Sequence, residues 1–240
     1  MNKKFALQLY SLRDLMESDY APVIEQVAEF GYNGVELYNI GQFALDKIKP
    51  LLEKTKLCAF SAHVSKEELG ADKLHKTLSY LRDIGAKYAI CPYAEMKTVQ
   101  EIEAVADILN TAATAAKEYG ITVGYHNHGH EFEKLGNEYV LEYLMSKTAS
   151  DIVFELDVFW VQHSGVNPID FYEKHKDRIK LLHLKQIDAN NKAVDLSGGV
   201  IDMKRLCETD CELIVEQEDY AVSSLESAKN NAIYMKEILK

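Results

Sequence analysis

The stretch YHNHGHEF, residues 125–132, carries histidines at 126, 128 and 130. Alternate residues of an extended chain share a face, so His126 and His128 point the same way from a strand. Other same-face pairs recur: Glu155/Asp157 in IVFELDV, His183/Lys185 in IKLLHLK and Glu216/Glu218 in ELIVEQE. Each pair ends an apolar, β-branched run, and each offers groups that bind metals, move protons or stabilise oxyanions. Buried in an apolar interface, such charges would cost several kcal/mol each, so they belong together at one polar opening. His130 is expected to leave the strand for the following loop. A lone strand-end histidine is more often a hydrogen-bonded structural group than a ligand, so the reading rests on coincidence. His126, Asp157, His183 and Glu216 end four consecutive runs. Two imidazoles and two carboxylates make a ligand set for Mn²⁺, Co²⁺, Fe²⁺ or Zn²⁺, with Mg²⁺ also open. Glu155 is expected to accept a hydrogen bond from a neighbouring ligand.

Eight short runs position these groups: 5–10, 34–38, 58–64, 88–93, 122–128, 152–158, 179–185 and 212–218. Helical patterns lie between them. Over 98–119, Ile102, Val105, Ala106, Leu109, Ala113 and Ala116 share one face, and over 223–239 so do Leu225, Ala228, Ala232, Met235 and Leu239. Gly31, Gly85 and Gly120 stand where helices end, and Asp19, Thr98 and Asn167 where they begin. Eight strand–helix units in 240 residues give 240/8 = 30 residues each, which suits a βα unit. Strict alternation implies a parallel sheet, and eight units imply closure into a (β/α)8 TIM barrel spanning residues 1–240 as one domain. The first strand exits into YSLRD, without the G-x-G-x-x-G turn of an open dinucleotide-binding sheet. A barrel of this kind works at the C-terminal ends of its strands, where these polar residues fall.

Composition narrows the partners. The chain is 47% hydrophobic with a net charge of −11, which disfavours nucleic acid and anionic lipid. No long apolar run predicts a membrane span, and residues 1–14 lack the features of a secretory leader. Cys58, Cys91, Cys207 and Cys211 form no C-x-x-C pair, which predicts free buried thiols and a cytoplasmic protein. The expected partner is a small molecule. A homo-oligomer stays open, since no interface is legible.

LQLYSLRD (7–14), GYNGVEL (31–37), SAHV (61–64), YHNH (125–128), FELDVFW (154–160), LLHLK (181–185), GGVIDM (198–203) and IVEQE (214–218) together resemble the sugar phosphate isomerase/epimerase family. That family lies within the xylose-isomerase-like barrel superfamily, and the histidines of strand 5 resemble its inosose-dehydratase-like branch. The resemblance runs through the whole chain and implies a metal held by Asp157, His183 and Glu216. In strand 5, His126 stands in register with the glutamate of the ketose epimerases. Gln186 replaces the acid of the relatives' HLKD, and Gly198 replaces the acid of their GEG.

The epimerases use opposing carboxylates on strands 5 and 8, so a histidine at 126 disfavours inversion and favours one-sided proton abstraction. The resemblance then implies a metal-dependent isomerase or epimerase acting on a small carbohydrate or polyol. Its alternatives are a keto-polyol (inosose-like) dehydratase or keto-glycoside lyase, and a non-catalytic sugar-binding barrel. Glu216 is the expected base, and Lys185 the group that stabilises an oxyanion or protonates a leaving hydroxyl. Gln8, Glu36, His63, His128 and Glu131 are expected to bind substrate hydroxyls, and Tyr93 and Trp160 to supply apolar walls. Ser197–Gly199 lies where such barrels can bind phosphate.

Overall fold

All eight runs become parallel strands in a computed structural model that describes residues 3–16 and 19–240. They are β1 (Phe5–Gln8), β2 (Gly34–Leu37), β3 (Cys58–His63), β4 (Tyr88–Cys91), β5 (Thr122–His126), β6 (Val153–Asp157), β7 (Ile179–Leu184) and β8 (Glu212–Val215). Each pairs with the next, and β8 returns to β1, closing the barrel. Every strand stops short of the run that announces it. His128, Lys185, Glu216 and Glu218 therefore stand just past the ladder, on the first residues of the loops.

Outer helices return the chain between strands: α1 (Ala21–Phe30), α2 (Leu45–Thr55), α3 (Ala71–Ile84), α4 (Val99–Ala116), α5 (Val140–Lys147), α6 (Pro168–His175), α7 (Met203–Cys207) and α8 (Ser224–Ile238). Their ends follow local chemistry. Thr98 forms a reciprocal capping box with Glu101, Asn167 accepts the N–H groups of Ile169 and Asp170, and Asp19 accepts that of Ala21. A short extra helix, Val158–His163, begins directly at the end of β6, capped by Asp157. No helix among the described residues is long and apolar enough to cross a membrane. All four cysteines are free; Cys58 is exposed, against the expectation that all would be buried.

The barrel interior is filled in layers. Ala6, Phe60, Ile90, Val153, Leu181 and Ile214 form an apolar plug at the bottom. Gly124 belongs to this level, where a Cβ would stand 2.6 Å from Ile90 and 2.9 Å from the Val153 carbonyl. Only a glycine lets β5 approach so closely. The next inward residue on β5 is His126, and the next two on β6 are Glu155 and Asp157. The polar layer thus rests on a rigid apolar floor, while a larger apolar set fills the space between barrel and helices.

The loop after β7 shows why position 186 carries an amide. Gln186 donates to the carbonyls of Leu196 (3.3 Å) and Ile201 (3.0 Å) and accepts from the N–H groups of Ile187 and Ile201 (both 3.0 Å). An acid could only accept. Gly199 is pressed against this side chain, since a Cβ there would lie 2.3 Å from Gln186. Gly199 thus serves close packing, while Ser197 and Gly198 are exposed. Gln186→Glu would set a buried carboxylate against two carbonyl oxygens and is expected to cost about 3 kcal/mol of stability. Urea unfolding checks this, and an unchanged midpoint would show that the loop re-forms without the amide.

Candidate active site

β6, β7 and β8 bring Asp157, His183 and Glu216 together, with candidate ligand atoms within 4.8 Å of one another. The cause is register: Asp157 pairs with His183, and Glu216 follows directly on β8. His126 joins from β5, its Nε2 4.0 Å from Asp157 Oδ2. Asp157 uses Oδ1 to accept the N–H groups of Phe159 and Trp160, at 2.9 and 3.2 Å, while its buried Oδ2 has no partner. Burial, opposed by Lys185 and reinforced by the charge of Glu216, pushes the Asp157 carboxyl up to about 7. Burial also raises Glu216, but the charges of Lys185 and His183 outweigh it and hold that carboxyl well below the ordinary range. A divalent cation among these atoms would remove the repulsion and satisfy the unpartnered oxygen, so the donor set fits one.

A second cluster lies beneath: His63, His126, Glu155 and His183 also offer ligand atoms within 4.8 Å of one another. Its hydrogen bonds suit it to a supporting part. Glu155 Oε2 lies 3.1 Å from His126 Nδ1, 2.8 Å from His63 Nε2 and 3.2 Å from His183 Nε2. Glu36 Oε2 lies 2.6 Å from His183 Nε2. The opposite nitrogens of the two shared histidines, His126 Nε2 and His183 Nδ1, face Asp157 and Glu216 respectively. Deep carboxylates that take the far N–H of imidazoles fix the tautomer and aim the near nitrogen at a metal. Burial pushes Glu155 up, yet the charge of His183 and three imidazole hydrogen bonds hold it well below its ordinary value. Burial and repulsion from His183 carry His126 down to about 4, so its imidazole is neutral at pH 7. Glu155→Gln is expected to weaken divalent-metal affinity about 10–100-fold while the fold survives. Isothermal titration with Mn²⁺ checks this; unchanged affinity would mean that the deep layer does not act on the site.

Above these groups opens a pocket of about 360 Å³. His63, His126, His128 and Glu216 form its base, and Tyr10, Tyr38 and Tyr93 stand in its wall. His128 is neutral, its imidazole pushed down to about 2 by burial and then by His126, and its buried Nδ1 has no partner. Lys185 bridges Glu216 at 3.6 Å and Glu218 more closely. Burial lowers its pKa, but Glu216, Asp157 and Glu218 raise it more, so it stays charged.

Four residues expected to contact substrate do not line this pocket. Gln8 and Glu36 are completely buried in the floor, where Gln8 Nε2 donates to Glu36 Oε2 at 2.6 Å. The loops after β1 and β2 carry Tyr10, Tyr38 and Asn39 into the pocket wall instead. Glu131 is buried behind β5, accepting from the Tyr125 hydroxyl at 2.6 Å and the His128 N–H at 2.8 Å. It braces the strand end because Tyr125, on the opposite face from His126, points away from the pocket. Trp160 lines a different cavity. Sequence reading missed Asn39, Ser65 and Glu68 in the wall. The one local signal was an asparagine able to hold the left-handed backbone found at residue 39, φ 44°.

The chain is 27% identical over 195 residues to an inosose dehydratase of Geobacillus kaustophilus, covering 69% of this chain and 61% of that protein. A Clostridium beijerinckii inosose dehydratase is 27% identical over 199 residues, 72% of this chain and 65% of that one. The chain thus spans less than two thirds of the length of these curated relatives. A sugar phosphate isomerase/epimerase from Parabacteroides distasonis superposes with a TM-score of 0.84 over 100% of this chain and 96% of its own, at 22% identity. The probable 3-DHS dehydratase AsbF of Bacillus anthracis does so with 0.76 over 97% and 98%, at 14% identity. At such identities the likeness is one of fold. The closed eight-stranded parallel barrel agrees with the sequence profile that matches residues 24–209, and the chain belongs to the xylose isomerase-like TIM barrel family.

Proposed function

We propose that this barrel removes the proton next to a carbonyl of a small keto-polyol and expels an oxygen substituent from the adjoining carbon. The observation that carries this is the pairing of an ionised base with a charged acid. Glu216 Oε2 stands 3.6 Å from Lys185 Nζ, while the facing strand presents neutral His126 in place of a second carboxylate. Glu216 takes the proton from carbon, and Lys185 delivers one to the departing oxygen. His63 and His128 hold substrate hydroxyls, and Tyr93 closes the wall. Asp157, His183, Glu216 and His126 would hold the divalent metal, which supplies Lewis-acid polarisation of the carbonyl when bound. The names of the inosose dehydratase relatives support elimination.

Isomerisation or epimerisation of a sugar is the second reading. It is supported by one-sided abstraction at Glu216 and by the fold shared with the Parabacteroides distasonis isomerase/epimerase. Incubation of the Mn²⁺-loaded protein in D₂O with inososes and ketoses separates the two. Enone absorbance is expected. Deuterium entering an isomerised sugar without enone would favour the second reading. Neither signal across the panel would leave a sugar-binding barrel and overturn both.

A further inference from the structure

Trp160 is the single tryptophan of the chain, and it lines a second cavity of about 600 Å³ beside the first. Three segments distant in sequence build this cavity: the extra helix after β6, the hairpin after β7 and the loop after β8. Phe159, Trp160, His163 and Tyr220 supply aromatic surface, and Asp188 and Asp219 supply carboxylates. The partition between the two cavities is thin. The Trp160 ring is 5.7 Å from His128, which lines the first cavity. Lys185 Nζ stands 5.3 Å from the same ring and 5.0 Å from Phe159, while it pairs with Glu216 and Glu218 of the first cavity.

We infer that the second cavity is a subsite for a neutral glycosyl unit, so that the substrate is a two-unit, glycoside-like molecule whose joining oxygen lies beside Lys185. This rests on the proposed function. Aromatic faces suit the C–H faces of a sugar ring, and carboxylates accept its hydroxyls. The carboxylates of Asp188 and Asp219 outnumber the one ammonium of the lining, Lys192, and this net negative charge disfavours an anionic occupant such as a phosphate. The position of Lys185 joins the two halves: it contacts both the base of the reacting pocket and the aromatic wall of the second. A group leaving from the first cavity on that side therefore meets the second.

Trp160 emission reads the subsite without any turnover. Glucose, maltose and cellobiose are titrated against the Mn²⁺-loaded protein. A saturable emission change with a disaccharide, at an affinity about tenfold or more above that of glucose, is expected. Ala221→Tyr, which fills the cavity from an exposed loop position, should abolish that preference while leaving metal content unchanged. Equal affinity for one- and two-unit sugars, no emission change with any of the three, or a preference that survives Ala221→Tyr would each overturn the subsite. Disaccharide binding without enone formation from any keto-sugar would instead overturn the proposed function alone.

Discussion

Asp157→Asn, His183→Ala and Glu216→Ala are each expected to lose tight divalent-metal binding, with affinity falling more than about 100-fold, beyond the loss from a supporting residue. Asparagine is the informative choice at 157. The wild-type Oδ1 caps the helix Val158–His163 through the N–H groups of Phe159 and Trp160, and an amide oxygen can keep that cap while the anionic ligand disappears. Alanine there would add about 1 kcal/mol of lost capping and blur the result. Removing Glu216 strands the buried ammonium of Lys185, which keeps only Glu218 and the more distant Asp157 as counter-charges. Its loss should therefore lower stability as well as metal content. Elemental analysis of purified variants, with circular dichroism to establish folding, checks the set. Wild-type metal content in any two of the three would show that an ion is held elsewhere.

The second large effect separates the histidines of β5. His126→Ala is expected to lose metal. His128→Ala should keep the metal and lose turnover by about 10²-fold or more, the scale of a misplaced substrate or a missing proton carrier. His126 Nδ1 is engaged with Glu155 and its Nε2 faces Asp157, as a ligand requires. His128 lies one pleat nearer the opening, with an unpartnered Nδ1 and the rings of Tyr93 and Trp160 about it. His130 lies in the turn beyond the strand, bonded to the Ala94 carbonyl at 3.0 Å. His130→Ala should leave metal and turnover nearly intact and cost about 1 kcal/mol of stability. Metal titration and steady-state kinetics on the three variants decide the register. Retained metal in His126→Ala together with metal loss in His128→Ala would reverse the assignment.

Local pattern determined the barrel and the identity of its polar layer. The eight strands follow from period-two runs separated by period-3.6 helices, and both periods are properties of neighbouring residues. The convergence of Asp157, His183 and Glu216 was legible because parity sets strand-end charges on one face and the cost of burying them in an apolar interface sends that face to a common opening. Glu155 could be assigned a supporting part because it stands one pleat deeper than Asp157. Tertiary structure decided what each loop does once the ladder ends. Gln8 and Glu36 sank into the floor because the loops after β1 and β2 occupy the wall above them. Glu131 turned behind β5 because the Tyr125 hydroxyl needed an acceptor there. Trp160 lines a second cavity because the extra helix sets it between His128 and loops some 30 and 60 residues further along the chain. Such meetings are set by packing between distant segments, and no spacing within a single segment records them.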